Sequence, residues 1–114
     1  MAKSRQAIAH EFSRAAREQI MTRDRGCIFC QMHYKMDKAT WLSQQILSIM
    51  HYIPRSQGGL GIPENGAVGC QYHHHMLDNG NTGSRAEMLV MFRNYLQIHY
   101  VDWNEDKLIY RKWG

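Results

Sequence analysis

The sequence predicts a small α+β domain, mostly helical, with one β-hairpin and a bound metal as its brace. Three observations carry this. Residues 46–53 are rich in β-branched and apolar side chains, and the glycine-rich stretch Gly58-Gly59-Leu60-Gly61-Ile62-Pro63 separates them from a second short run at residues 67–69, the pattern of strand, loop and return strand. Met88, Met91, Phe92, Tyr95 and His99 recur at three-four spacing and so share one helix face. Cys27-x-x-Cys30 and Cys70-x-x-His73 are two ligand pairs with the spacing of a closed Cys₃His zinc site.

The elements follow in order. A chain of 114 residues is one domain with a modest core, the size class in which a metal adds needed stability. Residues 1–12 are basic and expected to be loosely held, leaving residues 13–114 as the domain and residues 46–79 as its hairpin-helix core. Ser13 is the expected N-cap of a helix over residues 13–22, with Ala16 and Ile20 inward. Gly26 opens a tight turn carrying Cys27 and Cys30. Residues 31–40 show no clear period. A short helix over residues 72–77 should follow the return strand and stop at Asn79-Gly80. Ser84-x-x-Glu87 has the form of a capping box for the next helix, and Asp102-x-x-Glu105 marks one more short helix before Trp113.

The formal charge is +4, with a pI near 9.1, which favours a polyanionic partner. Three cysteines cannot all pair, and Cys-x-x-Cys reads as metal binding in a reducing compartment. No secretory leader is visible and no apolar run is long enough to span a bilayer, so the expectation is a cytoplasmic protein with no membrane partner.

The chemistry concentrates in His51-x-x-Pro54-x-Ser56-x-Gly58-Gly59, Asn65, Cys70-x-x-His73-His74 and Asp78. This ordered set resembles the HNH endonucleases, whose ββα-metal (His-Me finger) core carries the active site. The flanks Arg23-Asp24-x-x-Cys27-x-x-Cys30 and Trp103-Asn104-Glu105 look like small bacteriophage-type members. The resemblance implies a metal-dependent DNA endonuclease that hydrolyses phosphodiester bonds in a bacterial host cell, with a possible place beside DNA-packaging proteins. It implies His51 as general base, and Asn65 and His74 at the family's asparagine and last motif histidine. His74 and Asp78 are the implied ligands of one catalytic ion such as Mg2+, Mn2+, Ni2+ or Zn2+. Cys27, Cys30, Cys70 and His73 stand at the structural Zn2+ positions. Met50 occupies a position where the family usually has Asp, His or Glu, and a thioether is a poor ligand for hard cations.

The residues suit that chemistry on their own terms. A neutral imidazole accepts a water proton near physiological pH. His74 and Asp78, at i and i+4, share a helix face. Asn65 is placed to hold the His51 tautomer or to support the inter-strand loop, and Arg55 to meet a phosphate. Each residue also has a plainer reading: an interior strand histidine for His51, turn residues for Asn65 and Asp78, a solvated charge for Arg55, and a surface histidine for His73 with His74 or His75 taking the fourth zinc position. The rival from another class is a non-catalytic, zinc-stabilised DNA-binding or interaction module with a degenerate site, for which Met50 is the argument.

Overall fold

The computed structural model of the chain describes residues 5–79 and 83–111. In chain order the elements are α1 (Arg5–His10), α2 (Arg14–Asp24), α3 (Ile28–Gln31), α4 (Trp41–Gln45), β1 (Leu47–His51), β2 (Gly66–Cys70), α5 (Gln71–Asn79) and α6 (Ser84–His99). Short 3-10 turns lie at Met36–Lys38, Arg55–Gln57, Pro63–Asn65 and Glu105–Leu108. The architecture is α+β and mostly helical. β1 and β2 pair antiparallel, from Leu47 opposite Cys70 to His51 opposite Gly66, and helices pack around this two-stranded sheet. Among the described residues no helix is long and apolar enough to cross a membrane.

Ser13 caps α2 as expected, its hydroxyl accepting from the Ala16 amide at 3.1 Å, and Ala16 and Ile20 are buried. β2 has the weak strand composition Gly-Ala-Val-Gly-Cys, yet every residue in it is buried. Small side chains let neighbours lie directly on the strand: a Cβ at Gly69 would fall 2.4 Å from the Met50 sulfur. Met50 is accordingly a core side chain, fully buried with Phe29, Leu77, Met88, Phe92 and Leu96.

Three local expectations give way to specific contacts. Residues 5–10 form helix α1 rather than a loose arm, because the glycine-rich loop supplies partners. The Gly61 amide donates to the Ala9 carbonyl at 2.9 Å, and buried His10 donates from Nδ1 to the Gly59 carbonyl at 2.6 Å. Residues 1–4 lie outside the described residues. Ser84 is the first residue of α6 and not its cap; Gly83, in the left-handed region at φ 76°, holds the cap position without a side-chain bond. Asn104, not Asp102, caps the last turn, its side chain accepting from the Asp106 amide. The expected Asn79-Gly80 stop is half visible: Asn79 ends α5, while Gly80 and Trp113 lie outside the described residues.

A buried ion pair ties these pieces together. Asp24 has a fully buried side chain, and Arg23 grips both its oxygens, at 2.6 and 3.1 Å. Asp24 also accepts from the Val68 amide at 2.8 Å and from the Tyr95 hydroxyl at 2.5 Å. The Arg23 guanidinium donates on to the carbonyls of Pro63 and Gly66 and to the Tyr100 hydroxyl. Burial works against the Arg23 charge, but Asp24 outweighs it and holds the guanidinium protonated above its ordinary value. α2 is thereby joined to β2, to the turn before it and to α6. Removing one partner of a buried pair strands the other, at about 3–5 kcal/mol. We therefore expect Asp24→Ala to lower metal-saturated stability by about that amount in denaturant unfolding; a loss under about 1 kcal/mol, the level of a surface pair, would show that the pair bears no weight.

Candidate metal centre and the histidines beside it

Gly26 and α3 bring Cys27 and Cys30 to the end of β2, where Cys70 closes the strand and His73 occupies the first turn of α5. The ligand atoms of Cys27, Cys30, Cys70 and His73 all lie within 4.8 Å of one another. His73 Nδ1 is 3.5 Å from the Cys27 and Cys30 sulfurs and 3.3 Å from that of Cys70. The Cys30 and Cys70 sulfurs stand 3.6 Å apart, well beyond a disulfide bond, and all three thiols are free. A tetrahedral ion with arms of about 2.3 Å to sulfur and 2.0 Å to nitrogen has ligand edges of about 3.5–3.8 Å, so the set fits a metal ion such as zinc.

The surroundings set the ligand protonation. His73 Nε2 donates to the Tyr34 carbonyl at 2.6 Å, which fixes the tautomer with Nδ1 bare toward the sulfurs. Burial pushes His73 below its ordinary value in spite of that bond. Burial raises the Cys27 and Cys30 thiols, with the neighbouring cysteines adding to it for Cys30. A cation reverses this, because thiolates bind it and thiols do not.

The next residue, His74, begins a second group. Its Nδ1 is 2.6 Å from the Ser48 hydroxyl on β1, and its Nε2 is 3.2 Å from the Asp78 carboxylate one turn on. His51, at the end of β1, is half-buried, with Nε2 2.9 Å from the His10 carbonyl and its ring 4.4 Å from that of Phe12. Burial holds His51 below its ordinary value of 6.5; the His10 carbonyl opposes this, while the charges of Arg55, His10 and His74 reinforce it. Arg55 is exposed in the turn after β1. Asn65 is fully buried but does not bond His51. Its side chain accepts from the Ile53 amide at 2.8 Å and donates to the Ile53 and Leu60 carbonyls. Of the two roles open to it, loop support is the one its bonds serve.

Met50 offers no ligand, since it faces the core. Four contributors are absent from the sequence reading: Ser48, Tyr34, His10 and Phe12. Ser48 left a signal as a polar side chain in the otherwise apolar run Leu47 to Met50. Tyr34 and His10 act through backbone carbonyls and left none. Comparison with protein-family models, curated proteins and solved structures finds no match for this chain.

Two signed effects follow for the metal-free protein. His73 and His51 are held neutral when folded, so stability falls as pH drops below their ordinary 6.5. Cys27 and Cys30 are held protonated when folded, so stability also falls as pH rises past their ordinary 9.0. Denaturant unfolding of chelator-treated protein should therefore peak between these limits, and one equivalent of zinc should abolish the alkaline decline. An alkaline limb unchanged by zinc would exclude the thiols as ligands.

Proposed function

We propose that the chain is a metal-dependent DNA endonuclease of the HNH type, with a ββα-metal core braced by a structural zinc at Cys27, Cys30, Cys70 and His73. The observation that carries the reading is the placement of His51 at the end of β1 and of the His74–Asp78 pair on α5, with His74 tied to Ser48 three residues before His51 on the same strand. Net charge of +4 and exposed Arg55 beside His51 suit a phosphate backbone.

His51 keeps the lone pair of Nδ1 and takes the proton of the attacking water. The water oxygen bonds to phosphorus as the bond to the leaving sugar oxygen breaks, and that oxygen takes a proton from solvent water. His74 and Asp78 would hold a divalent ion, which supplies positive charge for the phosphate oxygens. Ser48 fixes the ring of His74 through Nδ1, leaving Nε2 for that ion beside Asp78. Asn65 keeps the loop closed so that Arg55 stays next to His51.

A second reading, a zinc-braced DNA-binding module without catalysis, is favoured by one observation: buried Met50 leaves β1 without a metal ligand. The two are separated by incubating purified protein with supercoiled plasmid and magnesium, manganese or nickel. The nuclease reading expects cleavage that His51→Ala lowers by about 100-fold or more. Because His51 titrates below 6.5, the rate should hold as pH falls to that value and decline only beneath it. Plasmid left intact with every ion, or cut equally by His51→Ala, would favour the binding module.

A further inference from the structure

The glycine-rich loop between β1 and β2 is gripped from two sides. On one side the Leu60 amide donates to the Leu108 carbonyl at 2.8 Å and the Tyr110 amide to the Gly58 carbonyl at 2.7 Å. On the other side lies the N-terminal segment, through the Gly61–Ala9 and His10–Gly59 bonds. The approach is close enough to require glycine: a Cβ at position 61 would fall 2.1 Å from the Glu11 carbonyl oxygen and 2.5 Å from the Phe12 nitrogen. This docking sets Phe12 against the His51 ring at 4.4 Å and the His10 carbonyl oxygen 2.9 Å from His51 Nε2.

A carbonyl oxygen only accepts, so Nε2 of the neutral ring must carry the proton and Nδ1 must be bare. The geometry points to the segment His10–Phe12 as a positioning device that fixes the tautomer of His51 and leaves Nδ1 as its basic nitrogen. Its catalytic meaning rests on the nuclease reading; the tautomer itself does not. The charges of Arg55, His10 and His74 act on His51, and among the described residues the bond given for its ring is the one to the His10 carbonyl. The anchor of the device is the buried His10 side chain, whose Nδ1 donates to the Gly59 carbonyl while Nε2 has no partner among the described residues. Helix α1 is thus part of the site's construction rather than an appendage to it.

The test combines ring-nitrogen NMR of His51 with cleavage kinetics on the full chain. The wild-type protein should show Nε2 protonated and Nδ1 bare. His10→Ala removes the bond to Gly59 and Phe12→Ala removes the ring contact; either should release His51 into a mixture of tautomers. Each should also lower kcat by roughly 10- to 100-fold, the usual effect of losing an orienting partner, with KM and bound zinc unchanged. His10→Asn returns a donor near the place of Nδ1 and should restore both the single tautomer and kcat. Phe12→Ala gives a separate arm if His10→Ala fails to fold. A wild-type His51 protonated on Nδ1, or alanine variants that keep one tautomer and full kcat, would overturn the inference. A wild-type protein that holds the expected tautomer, loses it in the variants and cuts no DNA would overturn the nuclease reading and leave the positioning role standing.

Discussion

The constraint on which the rest of this structure depends is the convergence of Cys27, Cys30, Cys70 and His73. The two ligand pairs are far apart in the chain and come from different elements. Three thiols and an imidazole packed together gain little from one another: burial raises the Cys27 and Cys30 thiols and lowers the His73 imidazole. A cation is what turns such a cluster from a cost into a cross-link. The consequence for the proposed chemistry is direct. His73 fixes the first turn of α5, His74 is the next residue, and Asp78 follows one turn later. The orientation of the second group relative to β1 is therefore inherited from the first.

The other half of the arrangement is held by satisfied polar groups. Arg23 and Asp24 bond to backbone groups of β2 and the turn before it, and to tyrosines of α6 and its end. Trp103 donates to the Glu64 carbonyl, and the Tyr52 hydroxyl donates to Glu105. These contacts give the flanking Arg23-Asp24 and Trp103-Asn104-Glu105 a physical role: they seat the inter-strand loop from outside while Asn65 seats it from within. β1, which carries His51 and Ser48, is then fixed against β2 in a single register.

Much of this was legible in the chain because it rests on side-chain type at fixed spacing. The hairpin, the helix after it, the long amphipathic helix and the Cys₃His set all belong to that class. Contacts made through the backbone were not legible. The Tyr34 and His10 carbonyls could belong to any residue type, and the folding of residues 5–10 onto the loop depends on glycine carbonyls and amides that carry no pattern. The capping box at Ser84 failed because Gly83 took the turn in the left-handed region and Ser84 became part of the helix, where its hydroxyl accepts from Lys35 at 2.7 Å. α4 was missed because Thr40 and Ser43 cap it reciprocally, a serine standing where the usual box has Glu or Gln. By position Met50 stands as a missing ligand; burial makes it a packing residue, with Gly69 shaped to receive it.

The most direct measurement is X-ray absorption at the zinc edge of purified, zinc-loaded protein, with His73→Ala alongside. The account predicts one tightly held ion in a four-coordinate shell of three sulfurs at about 2.3 Å and one imidazole nitrogen at about 2.0 Å, the nitrogen being lost in the variant. A wild-type shell without the imidazole, or one with fewer than three sulfurs, would contradict it.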